Sequence, residues 1–169
     1  MKAKNQMLDF AKNLVREAGE LILSDYKKRS ILSNTPDKGI LAEGDLAAHN
    51  IILKKIKDAF PEHNLLSEEG ETKSDLARDT WICDPICGTY NYTHSIPYFA
   101  IGLSYLKEGE IQLGIIYNPA SGELFHAVRG AGAYLNDKPI QVSPRADLKD
   151  AIVDLLEDTG EEKISSRLH

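Results

Sequence analysis

The sequence predicts an α+β fold in which two N-terminal amphipathic helices pack on a large, mostly antiparallel sheet. Three observations carry this. Apolar residues recur at helical spacing in two stretches before Pro61. Beyond Pro61 the texture changes to short apolar runs bounded by turn residues, which is how strands read. The segments Lys107-Glu108-Gly109-Glu110 and Asn118-Pro119-Ala120-Ser121-Gly122 are short and rich in turn formers, so the runs they join are antiparallel. Helices first and strands afterwards are the mark of α+β.

The first helix is expected from Gln6 to Lys27, with Met7, Phe10, Leu14, Ala18, Leu21 and Ile22 on one face. A polar linker containing Pro36-Asp37-Lys38-Gly39 follows. Asp45 stands at a plausible N-cap before Leu46, Ile51, Ile52, Ile56 and Phe60, and Pro61 closes this second helix. Strands are then expected at Asn64 to Ser67, Trp81 to Asp84, Phe99 to Lys107, Ile111 to Asn118, Glu123 to Val128 and Ala151 to Leu155. Gly70 to Thr80 is polar and aperiodic, and reads as a mobile loop over a site.

Composition narrows the function. The 169 residues are 42% hydrophobic and 27% charged, enough to bury one core, so a single domain over 1–169 is expected. There is no run of eighteen apolar residues and no apolar leader core, which predicts a cytoplasmic protein without membrane contact. Two cysteines, Cys83 and Cys87, are too few for a disulfide framework or a structural zinc site. A net charge of −6 disfavours non-specific nucleic-acid binding, which runs on lysine and arginine. An acidic protein that handles phosphate usually needs a metal between the two charges.

The chemistry concentrates in Trp81-Ile82-Cys83-Asp84-Pro85-Ile86-Cys87-Gly88-Thr89-Tyr90-Asn91-Tyr92, preceded by Leu66-Ser67-Glu68-Glu69. A strand ending in Asp84 projects a carboxylate past the sheet edge, Pro85 fixes the turn, and Gly88 has no side chain to keep a phosphate from the backbone amides. Glu68 lies at the end of another strand, so two hard oxygen ligands can converge on a small divalent cation. Cys83 alternates with Asp84 and so points into the core. His94 and His126 read as ordinary surface or core histidines, and Tyr90, Tyr92, Tyr98 and Tyr105 as packing residues.

These segments resemble the signature of the inositol monophosphatase family, in which a strand delivers Asp-Pro-Ile-Asp-Gly-Thr and an upstream Glu-Glu pair completes a magnesium site. Six matching residues, Trp81, Asp84, Pro85, Gly88, Thr89 and Asn91, would recur by chance on the order of once in 10⁸ starting positions. Pro97, Ala100 to Ser104, Gly114 to Tyr117, Gly122 and Gly130-Ala131-Gly132-Ala133 follow the same pattern, so the resemblance covers nearly the whole chain. It implies that Glu68, Asp84 and the Ile86 carbonyl hold one Mg2+, that Glu68 with Thr89 orients the attacking water, and that the Gly88 and Thr89 amides hold the phosphate. Asp45 matches an acidic position near the metals, although its neighbour Ala42 stands where the family usually carries threonine.

Two departures matter. Cys87 occupies the place of the motif's second aspartate, and a neutral thiol is a poor ligand for a hard cation. Family members also continue into a C-terminal α/β portion that supplies a further metal-binding aspartate, whereas this sequence stops at His169 in a polar tail. The expectation is therefore metal-dependent hydrolysis of a small sugar or inositol phosphate monoester, impaired by both departures. The alternative is a non-catalytic phosphate- or metal-binding or interaction module, or a fragment of a longer reading frame. Apolar surface left open on the sheet predicts a homo-oligomer.

Overall fold

The structure, a computed structural model, describes residues 2–26, 28, 31–35, 39–70, 79–145 and 147–150. Helix α1 spans Lys2–Asp25, starting before the expected Gln6, and α2 spans Glu43–Ala59. Among the described residues seven strands form one sheet in sequence order: β3 Asn64–Ser67, β4 Thr80–Cys87, β5 Ala100–Lys107, β6 Glu110–Asn118, β7 Glu123–Val128, β8 Gly132–Leu135 and β9 Lys138–Ile140. Strands β3 and β4 are parallel and every later neighbour pair is antiparallel, which makes the meander the turn residues predicted.

Side-chain alternation divides the sheet into two unlike faces. Trp81, Cys83, Ile101, Leu103, Leu113, Ile115 and Leu124 point to one face, all nearly inaccessible, and there they meet Ala11, Leu14, Val15, Ala18 and Ile22 of α1 and Ala48, Ile52 and Ile56 of α2. The helical spacing of these residues is what selects that face. On the other face Ile82, Ile116, Phe125 and Ile140 remain exposed, with Ile116 directly opposite Phe125 across the β6–β7 ladder.

Several elements differ from expectation. The polar linker is flanked by two paired strands, β1 Ile31–Thr35 and β2 Gly39–Ala42, five and four residues long and too short to carry an alternation to read. Strand β4 does not stop at Asp84 but runs to Cys87, and Thr89–Thr93 forms a short helix, α3. Strands β8 and β9 are joined at Asn136 and Asp137, both with positive φ, the backbone that a two-residue hairpin requires and that Asn and Asp tolerate. Asp45 is not the N-cap of α2: Ala42 is, and Asp45 sits three residues in, its carboxylate accepting the Ala42 N–H at 2.7 Å. Alanine has no oxygen to return the bond, so only half of a capping box is present. Tyr92 and Tyr105 are buried as packing residues, but Tyr90 and Tyr98 are exposed. The strand expected at Ala151 to Leu155 lies outside the described residues, as does most of the Gly70 to Thr80 loop (71–78).

Candidate active site

Parallel pairing brings the acids together. Because β3 and β4 run the same way, with Ser67 opposite Cys83, the residues that follow, Glu68 and Asp84, emerge side by side where the pairing of the two strands ends. The Glu68 N–H prolongs the ladder by one bond to the Cys83 carbonyl at 3.3 Å. An antiparallel pair would have sent the two carboxylates to opposite ends of the sheet.

After Asp84 the β4 ladder breaks. Asp84 pairs with Gly102 and Cys87 with Ala100, so Pro85 and Ile86 together face the single residue Ile101. This bulge fits the sequence, since Pro85 has no N–H for the ladder. The Ile86 carbonyl accepts the Thr89 hydroxyl at 2.9 Å and keeps a second lone pair. Gly88 then turns the chain with φ +92°, and a Cβ there would lie 3.2 Å from the Tyr98 carbonyl, so both conformation and space ask for glycine. Gly44 plays a matching part at the start of α2, where a Cβ would lie 2.6 Å from the Tyr92 hydroxyl; Tyr92 itself donates to the Ile22 carbonyl of α1 at 3.2 Å. That contact seats the start of α2, and with it Asp45, beside the bulge.

The electrostatics are those of a site short of positive charge. Burial pushes Asp45 up to about 7, against the Ala42 N–H, and the charges of Glu69, Asp84 and Glu68 push it the same way. Glu68 is raised by burial and then by Asp84, and Asp84 is raised by burial although the Cys87 thiol donates to it. Glu68 and Asp84 lie within hydrogen-bond reach of each other, but two carboxylates can share that bond only if one holds a proton. Asp84 Oδ1 is fully buried with no hydrogen-bond partner. Among the described residues no lysine, arginine or histidine pairs with Asp45, Glu68 or Asp84.

An orphaned carboxylate oxygen amid acids that raise one another is what a cation would relieve. Among the described residues no three His, Cys, Asp or Glu side chains stand together as a ready-made metal cage. The donor set is instead two carboxylates and a carbonyl, which suits magnesium, a hard ion held by one or two carboxylates while it keeps several waters. Cys87 adds little: burial and the Asp84 charge push its thiol up, so it stays protonated. Cys83 is buried, as its alternation with Asp84 predicts, and its thiol is pushed far up.

One group near the acids was not singled out from the sequence. His49, one helical turn after Asp45 on α2, places Nδ1 2.8 Å from Ser67 Oγ. The i, i+4 spacing from Asp45 was the signal that could have found it.

The sequence matches the Inositol monophosphatase family over residues 3–166. It is 37% identical to the fructose-1,6-bisphosphatase/inositol-1-monophosphatase of Thermotoga maritima, over 86% of this chain and 56% of that protein. It is 36% identical to the histidinol-phosphatase of Chlorobaculum parvum, over 83% of this chain and 54% of that protein. A solved structure of a Thermotoga maritima IMPase superposes with TM-score 0.78 at 36% identity, covering 83% of this chain and 55% of that one. The chain thus spans about half the length of the curated relatives it matches. Within that span sequence and fold agree, and the chain belongs to the inositol monophosphatase family.

Proposed function

We propose that the chain takes part in magnesium-dependent hydrolysis of a small sugar or inositol phosphate monoester, with its own turnover held down by Cys87. The observation that supports this best is the Glu68–Asp84 pair just past the parallel β3–β4 pairing, with the buried and unpartnered Asp84 Oδ1 beside it. Glu68, Asp84 and the Ile86 carbonyl would hold the ion, and Asp45 would add negative charge behind them. Bound magnesium supplies the positive charge that draws electrons from the phosphoryl oxygens and lets both carboxylates ionise.

The chain's own groups do the rest. The Thr89 hydroxyl, its proton committed to the Ile86 carbonyl, offers lone pairs to a water O–H, and Glu68 accepts the water's other proton. The amides of Gly88 and Thr89 hold the phosphate, which can approach because Gly88 has no side chain. Asp84 carries no proton through the reaction; it fixes the charge around which these groups are arranged.

A second reading, a binding module without turnover, is favoured by Cys87. A protonated thiol beside Asp84 supplies neither the charge nor the hard oxygen of an aspartate. Losing one preorganised charge-stabilising group costs ~10² to 10³ in rate. The relatives' names span fructose bisphosphate, inositol phosphate and histidinol phosphate, so the test is phosphate release from a panel of monoesters with magnesium, manganese or zinc, comparing the parent with Cys87→Asp. Turnover in the parent, increased in the variant, supports the enzyme. Silence in both with magnesium still bound supports the binding module. The exposed Ile82, Ile116, Phe125 and Ile140 face is where we expect copies to associate, and a monomer at every concentration by light scattering contradicts that.

A further inference from the structure

We propose that His49 is a positioning residue for Glu68, acting as a clamp on both ends of the turn that carries it. The turn is Ser67 to Gly70, closed by the Gly70 N–H on the Ser67 carbonyl at 3.0 Å, with Glu68 and Glu69 at its centre. At the first end His49 Nδ1 meets Ser67 Oγ at 2.8 Å. At the other, Gly70 passes so near the ring that a Cβ on it would lie 3.2 Å from His49 Cε1. One imidazole therefore bonds the residue before Glu68 and leaves no room for a side chain on the residue after Glu69.

The clamp has physical work to do. Two neighbouring glutamates face Asp84 and Asp45, and like charges at close range drive such a turn open. A turn holds a ligand less precisely than a helix or strand, and a carboxylate ligand must stay within about 0.5 Å of its working place. Ser67 is only 6% exposed, so water does not readily replace the histidine. A serine hydroxyl can donate or accept, so either neutral tautomer of His49 serves and the clamp needs no change of charge. Because Asp45 lies one turn earlier on α2, the same helix delivers one acid and fastens the strand end that delivers another.

This inference rests on the reading of Glu68 as a metal ligand, and the experiment separates the two. On the whole chain, magnesium affinity is measured by titration calorimetry and the Gly70 amide exchange rate by nuclear magnetic resonance, for the parent, His49→Ala, His49→Asn and Ser67→Ala. The clamp predicts faster Gly70 exchange and about tenfold weaker magnesium binding in both alanine variants, the lower end of the cost of losing a partner behind a metal ligand. It also predicts substantial recovery in His49→Asn, whose amide branches from the same carbon as Nδ1. Unchanged affinity in a folded His49→Ala overturns the proposal, as does a loss in His49→Ala that Ser67→Ala does not share. Should His49→Ala not fold, Ser67→Ala, which removes one oxygen, decides by the same two readings. If the parent binds no magnesium, the metal reading of Glu68 fails, and unchanged Gly70 exchange in both alanine variants overturns the clamp by itself.

Discussion

The two ends of strand β4 are built on opposite terms. At its start Trp81 Nε1 donates to His63 Nδ1 at 3.2 Å, His63 Nε2 faces Asp79 at 3.6 Å, and the Tyr105 hydroxyl donates to the same Asp79 carboxylate at 2.8 Å. His63 lies between the rings of Phe60 and Tyr105, stacked on both. Every polar side chain in this group has a partner. Three residues beyond Trp81, Asp84 has one buried oxygen with none, and Glu68 beside it is another acid. One strand thus anchors the core at one end and holds unrelieved negative charge at the other. A buried polar group that is satisfied stabilises, whereas one left wanting asks for a reason, of which a bound cation is one.

This contrast can be broken at either end. The largest effect is expected at the anchored end: Trp81→Ala removes a fully buried ring and the donor to His63, and should cost about 3–5 kcal/mol in urea unfolding. A loss below about 1 kcal/mol would remove Trp81 from its place in the account.

Next in size is the pH dependence of the metal-free chain, which belongs to the acidic end. Asp45 binds its proton more tightly folded, at about 7, than unfolded, at 3.8. The stability this brings is present in full below pH 3.8 and is lost as pH rises to about 7; the raised Glu68 and Asp84 act in the same direction. The Asp45 part amounts to no more than about 4 kcal/mol. Thermal unfolding should show the metal-free chain less stable at pH 8 than at pH 5, and saturating magnesium should shrink the difference. A chain more stable at pH 8 without metal would reverse the argument.

Smaller effects sharpen the comparison. Tyr105→Phe takes one donor from Asp79, which keeps His63 and reaches water, and should lower stability by about 1 kcal/mol, the net worth of one hydrogen bond. Asp84→Asn should have the opposite sign, raising the melting temperature of the metal-free chain at pH 8 by a few degrees, equivalent to about 1 kcal/mol. Equal destabilisation by the two substitutions would show that the ends of β4 do not differ in kind.

The elements legible in the sequence were those whose side chains alternate or recur against a single core: both helices and β3 to β7. Strand β1 leaves no period because Ile31-Leu32-Ser33-Asn34 is exposed and has no buried face, and β2, only four residues long, is too short to show one. Strands β8 and β9 leave little trace in the sequence because they are four and three residues long and their Asn136-Asp137 turn lacks the glycine that marks a two-residue hairpin. Asp45 was identified for the acid it carries but assigned the wrong place in its helix, since the half capping box depends on a backbone N–H that composition does not reveal. Glu68 and Asp84 are legible as candidates because each follows a short apolar run. What the sequence could not disclose is the parallel register of β3 on β4, a pairing between segments separated by an aperiodic loop, and on that register their meeting depends.

The most direct test of that meeting is magnesium titration of the parent and of Asp84→Asn by calorimetry near pH 7. The account predicts one magnesium bound by the parent with release of protons, because Asp45, which holds its proton up to about 7, gives it up when a cation arrives beside it, and no measurable binding by Asp84→Asn. Equal binding by the two proteins, or binding by the parent without proton release, would contradict it.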